Sequence, residues 1–452
     1  MANIVIGLRN FLQKDNFNQN TYIEVFPPYY EAFLNGLRDA GNNVIVFQAK
    51  KVRKEIVSDI PQDFLGKIKN FKPDIFILFN NYFWDVSKYF EVPIVVYDVD
   101  SPNAYTNIEL LKGKKGRYKY ITIQTDGIKL INEIIGCDEK NILYLKPFTE
   151  IQARKEFVKN NIAFCGANWL WNNWMPIINF INSEPSKKDR IDAYKVFNYF
   201  LENPFKTSDE IYSELNLCPS KKISLNNNFL DGTRVSGIQR LRVLSEVSSL
   251  GLEIRGTYFS LKDNTMVPFP EVLLSYSNEI VNNIKTTEDF YNSAKIGLNT
   301  KHIQAKSGFS WRVCDILASN ACLVSEYAAD LTELGFTDVP TFTTPYEARE
   351  QCKKLLENEN LRKDIVAHSH ELINKNHRFK HILPQIEDFT GVTLHSEDEG
   401  SLEVIPIFDK TVPPTPQKLP PFPNIAGERL SFKGKVYRKI ARYLYNKVEY
   451  IK

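Results

Sequence analysis

Cysteine is scarce in this sequence, and several motifs that mark particular chemistries are missing. The six cysteines are scattered over 452 residues without a C-x-x-C pair, so neither a zinc site nor a redox dithiol is indicated. The six histidines are too dispersed to suggest a metal site. There is no Walker loop, G-x-S-x-G, H-E-x-x-H or G-x-G-x-x-G motif. Chemistries that depend on those motifs are therefore not indicated.

Long apolar runs and an excess of one charge are also missing. No segment approaches the length of a membrane span, and the N-terminal run MANIVIGLRN is typical of a buried strand rather than a signal peptide. The net charge of +3 gives no general electrostatic reason to expect nucleic acid as a partner. We expect a cytoplasmic protein that is either free or attached to a membrane surface. Its length exceeds what one hydrophobic core usually holds, so two domains are expected.

Short apolar runs alternate with helical patterns along most of the chain. This alternation predicts buried parallel strands in α/β domains, with functional residues at the carboxyl ends of the strands. The first series of predicted strands is 4–6, 44–47, 75–79, 94–97, 120–124 and 142–145. The second series is 162–166, 252–257, 295–299, 322–325 and 341–343.

The domain boundaries follow from these two series and from changes in composition. A first domain is predicted over 1–155 and a second over 156–395, with a mostly helical insertion at 168–235. A proline-rich linker is predicted at 396–429. Residues 430–452 have an amphipathic pattern with seven Lys or Arg and one acid, which is typical of a helix that binds a membrane surface. The alternative is a terminal helix that docks on the protein's own core.

The stretch from Ser307 to Ser325, SGFSWRVCDILASNACLVS, is the most informative part of the chain. It predicts a small-residue loop, a helix, a second short loop and an apolar strand. It resembles the donor-sugar motif of GT-B glycosyltransferases, E-G-F-G-L-P-L-L-E-A-x-A-x-G-x-P-V. Gly308 and Phe309 match, and Asp315 stands where the second acid belongs. Ser307 replaces the first acid, which contacts the sugar in retaining members of the family.

The resemblance implies a GT-B fold, with two facing Rossmann-like domains that have parallel sheets. It implies a nucleotide-sugar donor in the second domain and an acceptor over the first. The similarity is to group-1-like, CgeB-like bacterial enzymes, which build lipopolysaccharide or capsule. The implied acceptor is a lipid-linked glycan at the inner face of the cytoplasmic membrane, and no metal or other cofactor is implied. The alternatives are a nucleotide-sugar 2-epimerase and a non-catalytic sugar-binding or scaffold module.

The helix that follows this loop is the predicted donor site. A helix N-terminus offers unpaired N–H groups and a partial positive charge, which suit a diphosphate. We expect Ser307, Gly308, Trp311 and Arg312 at the donor, and Asp315 as an acceptor of ribose hydrogen bonds. The alternative is an ordinary helix with Ser310 as its N-cap.

Other polar residues follow predicted strands of the second domain. The candidates to neutralise the leaving diphosphate are Arg255, Lys301, His302 and Lys306. Glu326 is a candidate for sugar hydroxyls, or else the cap of the next helix. The alternative for Arg255 is an ion pair with Glu253, and His302 is either a base or an exposed loop residue.

Two carboxylates end a predicted strand of the first domain, in the stretch YDVDSPN. Asp98 and Asp100 are the candidates for a general base that removes the proton of the acceptor hydroxyl. The alternative is an aspartate that caps the loop by bonding to its own backbone.

Overall fold

The computed structural model describes most of the chain. The described residues are 1–9, 11–14, 22–49, 60–102, 105, 108–114, 116–166, 180, 183–202, 208–223, 229–256, 270–277, 279, 281–302, 307–308 and 310–407. Lys306, Phe309, residues 408–429 of the predicted linker and the predicted helix 430–452 lie outside them.

The described strands form two parallel sheets and one short antiparallel pair. The first sheet has the order β14-β4-β1-β5-β6-β7-β8, and the second has the order β10-β9-β11-β12-β13. The strands are β1 Asn3–Arg9, β2 Phe11–Lys14, β3 Tyr22–Val25, β4 Asn43–Ala49, β5 Ile75–Phe79, β6 Ile94–Asp98, β7 Lys119–Thr122, β8 Ile142–Tyr144, β9 Asn160–Cys165, β10 Leu252–Arg255, β11 Ala294–Asn299, β12 Cys322–Glu326, β13 Thr341–Phe342 and β14 Ser401–Pro406.

Helices connect the parallel strands, as right-handed crossover connections require. The described α-helices are α1 Pro28–Asp39, α2 Gln62–Phe71, α3 Ile108–Gly113, α4 Gly127–Ile135, α5 Lys187–Glu202, α6 Ser208–Glu214, α7 Phe229–Ser248, α8 Pro270–Leu274, α9 Ile284–Asn292, α10 Trp311–Ala318, α11 Ala329–Glu333, α12 Pro345–Glu357, α13 Glu359–Asn376 and α14 Phe379–Thr390. The prediction of two facing domains with parallel sheets, the GT-B arrangement, is confirmed.

The central strands are apolar on both faces. This uniform apolar pattern in the sequence is what predicts buried parallel strands. Every residue of β5 and β6 is buried. Three of the hydrophobic clusters account for the two domains, with two on the first sheet and one on the second. A fourth cluster lies within the predicted insertion, where α5 and α6 share Val196, Phe197, Ile211 and Tyr212. The insertion is therefore helical in its described part and has a small core of its own.

The last described residues of the chain pack on the first domain. This placement corrects two of the predicted domain boundaries. Helix α14 packs Phe379, Ile382 and Ile386 into the core of the first domain, although 156–395 was predicted as the second. Strand β14 lies in the predicted linker 396–429, yet it pairs in parallel with β4 at the edge of the first sheet. An edge strand accepts proline at its end, so sequence alone does not distinguish it from an extended linker.

The segment between β8 and β9 joins the domains and is held by the start of α14. The Arg378 guanidinium donates to the carbonyl oxygens of Thr149 and Ile151, at 3.0 and 2.7 Å. The Phe379 N–H donates to the Glu150 carboxylate at 2.8 Å. These bonds fix the course of the connection between the two domains.

Within the described parts of the chain, no helix combines the length and the apolar character that crossing a membrane requires.

Replacing Gly36 by Ala tests the contact between α14 and α1. A Cβ at Gly36 would meet the ring of Phe379 directly, so the two helices or the ring must shift. Overpacking of this kind costs about 1–3 kcal/mol, which exceeds the roughly 1 kcal/mol that alanine gains over glycine in a helix. We expect a lower melting temperature by differential scanning calorimetry.

Gly66→Ala is the matched control, because Gly66 also lies inside a helix but nothing lies within 4 Å of its added Cβ. This variant should melt at the same temperature as the wild type or higher. A Gly36→Ala protein that is as stable as Gly66→Ala would contradict the packing of α14 on the first domain.

Candidate active site

A cleft of about 280 Å³ lies between the two sheets, at the carboxyl ends of their strands. The first domain contributes Tyr29 from α1 and Asp100 from the turn after β6. The second domain contributes the start of α10, through Ser310, Trp311, Arg312 and Asp315, together with Cys165 and Gly166 at the end of β9. Both domains therefore supply polar side chains to one cavity.

Helix α10 begins at the bottom of this cleft and is anchored in the opposite domain. The Trp311 ring stacks on Tyr29, with ring centroids 4.0 Å apart and planes 8° apart, and packs edge-on against Tyr97. Trp311 is buried in the core of the first domain although its helix belongs to the second. Its indole N–H has no hydrogen-bond partner among the described residues. A buried donor in a cleft wall is suited to a ligand or a water molecule.

Two arginines lie on the same aromatic ring at the end of β9. The guanidinium carbons of Arg312 and Arg240 are 5.4 and 5.5 Å from the centre of the Phe164 ring. Arg312 also donates to the Asn299 side-chain oxygen at 3.1 Å, and Arg240 donates to the Thr300 hydroxyl at 2.8 Å. Burial and then the charge of Arg312 lower the pKa of Arg240 to about 9. A bound anion would relieve this repulsion between like charges.

Asp315 lies one turn into α10 and is buried. Its Oδ1 accepts a hydrogen bond of 2.6 Å from the hydroxyl of Thr149, in the connection between the domains. Burial raises the pKa of Asp315 to about 7, and the Thr149 bond and the Arg312 charge only partly oppose this. The predicted ribose acceptor thus lines the cleft and already has one protein donor.

The two carboxylates after β6 occupy different environments. Asp100 is exposed and lines the cleft, and its Oδ2 accepts a 2.7 Å hydrogen bond from the Asn80 side chain. Asp98 is buried and is not among the residues that line the cleft. Burial, followed by the charge of Asp100, raises the pKa of Asp98 to about 8, so Asp98 is mostly protonated at neutral pH. The geometry favours Asp100 over Asp98 as a base.

The loop before α10 contacts the first domain, although it was predicted to contact the donor. The Ser307 hydroxyl accepts from the backbone N–H of Asp126 at 2.8 Å and donates to the Asp126 carboxylate. Gly308 has a φ of +73°, which favours glycine, and a Cβ there would lie 3.0 Å from the Ile123 carbonyl oxygen. Neither residue is among those that line the cleft.

The remaining donor-side candidates are held by other protein groups. Arg255 makes ion pairs with Glu253 and Glu279, each at 2.6 Å, so the alternative interpretation of an ion pair applies. Lys301 donates through its ammonium group to the Tyr327 carbonyl oxygen at 2.8 Å, and its backbone N–H donates to Glu326 at 3.0 Å.

His302 is partly buried and poorly suited to either role proposed for it. Burial, with a further contribution from the charge of Arg240, lowers its pKa to about 4. A neutral imidazole at pH 7 adds no positive charge against a diphosphate. A group with this pKa is also a weak general base.

Arg240 and Asn80 belong to the surroundings of the site and were not predicted from the sequence. Arg240 lies on the same buried face of α7 as Leu244 and Val247. An arginine on the apolar face of a helix is the sequence feature that could have indicated it. Asn80 and Asn81 follow β5 with φ of +48° and +56°, a backbone conformation that non-glycine residues rarely adopt. The Asn80 side chain donates to the Asp100 carboxylate and accepts from the backbone N–H of Val99. Two consecutive asparagines directly after a strand are the sequence feature that could have indicated this role.

Within the parts of the chain that the structure describes, no group of three or more His, Cys, Asp or Glu side chains is arranged to hold a metal ion.

Residues 244–388 match the family model described as glycosyl transferase-like. The match covers about a third of the chain and most of the second domain, including the whole of α10. It confirms the resemblance inferred from Ser307 to Ser325, and it supports glycosyl transfer as the activity. No curated protein matches this sequence.

Several solved structures are similar to this chain at low identity. WaaG, a glycosyltransferase involved in lipopolysaccharide biosynthesis, is 9% identical with a TM-score of 0.46, over 86% of this chain and 100% of that one. A glycosyltransferase from Rickettsia africae is 11% identical with a TM-score of 0.42, over 86% and 97%. T4 phage BGT, in complex with its UDP-glucose substrate, is 10% identical with a TM-score of 0.42, over 86% and 99%.

Proposed function

We propose that this protein transfers a sugar from a nucleotide-sugar donor to a glycan acceptor, with the donor nucleotide against the start of α10. One observation carries the proposal. A single cleft is lined by Asp100 from the first domain and by Arg312 and Asp315 from the second. The proposed base and the helix terminus proposed to bind the diphosphate thus line the same cleft from different domains. The glycosyl transferase-like match of residues 244–388 supports this chemistry.

The two arginines at Phe164 are suited to the diphosphate. Guanidinium groups bind phosphate oxygens bidentately, and the start of α10 adds its own partial positive charge. Arg312 lines the cleft, and Arg240 is not among the lining residues but lies on the same ring. Together they would stabilise the charge that develops on the leaving diphosphate, a task that other transferases give to a metal. The proposed mechanism therefore needs no metal.

Asp315 is proposed to receive the ribose hydroxyls, and Asp100 the proton of the acceptor hydroxyl. Asp315 lines the cleft one turn beyond Arg312, with Oδ1 already bound to Thr149. Asp100 is held at the opposite wall by Asn80. Its backbone oxygen accepts a 3.0 Å bond from Gln124. A carboxylate that is fixed in this way takes the proton of the acceptor hydroxyl from one defined direction.

The acceptor is proposed to be a lipid-linked glycan of the bacterial surface, at the inner face of the cytoplasmic membrane. The sequence feature behind this proposal is the basic amphipathic segment 430–452. A Lys or Arg near an anionic membrane contributes about 1 kcal/mol, and an apolar stripe adds to the affinity. The proline-rich residues before the segment would let the cleft reach a membrane-bound acceptor.

Donor binding is predicted to depend on Arg312 and Asp315. Arg312→Ala removes a charged donor, and Asp315→Ala removes the ribose acceptor, so each should cost on the order of 1.5–3 kcal/mol in nucleoside diphosphate binding. Isothermal titration calorimetry with UDP, GDP and dTDP measures the effect. Arg349→Ala is the matched control, because Arg349 bonds to Glu246 and Ser249 on the surface. Unchanged nucleoside diphosphate binding in both Arg312→Ala and Asp315→Ala would show that the donor site is misplaced.

Turnover with the nucleotide sugar should survive EDTA. Strict dependence of turnover on a divalent ion would contradict the metal-free mechanism. A 2-epimerase would instead convert the nucleotide sugar to its epimer without an acceptor. A scaffold module would bind the nucleotide sugar and release no nucleotide.

Asp100→Asn is predicted to lose roughly 10²–10⁴ in kcat, because general base catalysis typically contributes that much. The amide still bonds to Asn80, so donor binding should be retained. Asp98→Asn is the control, since an amide closely replaces a buried carboxyl group that is already protonated at neutral pH. Equal losses in both variants, or none in Asp100→Asn, would remove Asp100 as the base.

Membrane attachment is predicted to require residues after Asn424. The full chain should sediment with phosphatidylserine-containing vesicles and less so as salt increases, because the attraction is screened. The chain cut after Asn424 should stay in the supernatant, and neutral phosphatidylcholine vesicles should retain neither protein. Equal sedimentation of both chains would indicate that the terminal segment docks on the protein itself.

A further inference from the structure

We infer that Asp126, in the first domain, is a specificity-determining carboxylate for the sugar of the donor, and that Ser307 in the second domain holds it in position. This inference rests on the proposed function and adds a contact that the two domains build together. It is carried by the bonds of Ser307, by the location of Asp126 and by the free carboxylate oxygen of Asp126.

The Ser307 hydroxyl is committed to Asp126. It accepts the Asp126 backbone N–H at 2.8 Å and donates its single proton to Oδ1 of the same residue. A hydroxyl that is bonded in this way fixes both the backbone and the side chain of its partner. Ser307 therefore acts on Asp126, and its proton is not available to a phosphate oxygen.

Asp126 lies between the two halves of the proposed reaction. It follows β7 at the same edge of the first sheet as Asp100, and Gln124 in its turn donates to the Asp100 backbone at 3.0 Å. On the other side, Gly308 packs against Gln124 just before α10 begins. Asp126 does not line the cleft itself, but Asp100 and Ser310, which these contacts adjoin, both do. The proposed sugar position extends from the cleft to this junction.

The remaining oxygen of Asp126 has the chemistry that a sugar needs. Oδ2 has no hydrogen-bond partner among the described residues, and the side chain is only partly buried. A carboxylate oxygen accepts hydrogen bonds from sugar hydroxyls, and such charge-assisted bonds are strong. Ser307 stands at the position of the first acid in the donor motif. In the proposed subsite the facing domain supplies the carboxylate that this loop lacks, so residues of both domains build it.

Three variants distinguish a role of Asp126 in sugar recognition from a purely structural contact between the domains. Asp126→Asn removes the charge but leaves an oxygen that can accept from Ser307. Ser307→Ala removes the bond and leaves the carboxylate. Thr125→Val is the matched control, because the Thr125 hydroxyl makes a neighbouring cross-domain bond of 3.1 Å to Asp330.

Calorimetry would compare UDP with UDP-glucose and GDP with GDP-mannose, using the pair that the wild-type protein binds. Asp126→Asn should bind the nucleoside diphosphate like wild type and the nucleotide sugar roughly 10-fold or more weakly, since a charge-assisted bond is lost. Ser307→Ala should show a smaller, sugar-dependent loss, and Thr125→Val none. Ser307→Glu combined with Asp126→Asn should recover part of the loss, because it returns a carboxylate to the junction.

Equal effects on nucleotide and nucleotide sugar, equal effects of Asp126→Asn and Thr125→Val, or no effect of Asp126→Asn would each overturn the inference while the proposed donor site stands. A wild-type protein that binds none of these nucleotides or nucleotide sugars would overturn the proposed function, and this inference with it.

Discussion

The stacking of Trp311 on Tyr29 is the contact on which the geometry of the cleft depends. It places the first residue of α10 inside the core of the opposite domain, and the start of α10 and the turn after β6 line the same cleft. Aromatic stacking combines a large buried area with a defined orientation. The backbone N–H of Phe26, just before α1, adds a 3.0 Å bond to the Asn282 carbonyl, and the Glu31 carboxylate accepts from the Ile284 N–H at 2.8 Å. Helix α1 is thereby tied to both α9 and α10 of the second domain.

The wall of the cleft that the first domain contributes is held in place by a different set of contacts. Asn80 is fully buried with a left-handed backbone, and its side chain binds both the Val99 N–H and the Asp100 carboxylate. Unusual backbone conformations persist where the surrounding structure determines them, and they are frequent at functional sites. The arrangement converts a flexible turn after a strand into a fixed carboxylate. It also explains the division between Asp100, which is held at the surface, and Asp98, which is buried among Thr122 and Tyr105.

Burial shapes the electrostatics of both walls. It raises the pKa values of Asp98 and Asp315 and lowers those of Arg240 and His302. At neutral pH the two carboxyl groups and the imidazole therefore carry less charge than their types suggest, whereas Arg240 stays charged. An anion at the Phe164 ring would offset the repulsion between Arg240 and Arg312. Thr149, which binds Asp315, also belongs to the segment that Arg378 holds between the domains. The proposed nucleotide site and the interdomain connection are therefore in direct contact.

The sequence by itself determined the strands, the two-domain plan and the start of α10. Strands such as Ile75–Phe79 are uniformly apolar because both faces are covered by helices, and that pattern is local. The tertiary structure alone decided which core received Phe379 and Trp311, that Pro406 ends an edge strand, and that Ser307 bonds to Asp126. It also decided that Arg255 is held by Glu253 and Glu279 whereas Arg312 faces the cleft. Local periodicity indicates that a side chain is buried, but it does not identify the residues that the side chain contacts. In contacts such as that of Ser307 with Asp126, the partner lies more than a hundred residues away along the chain.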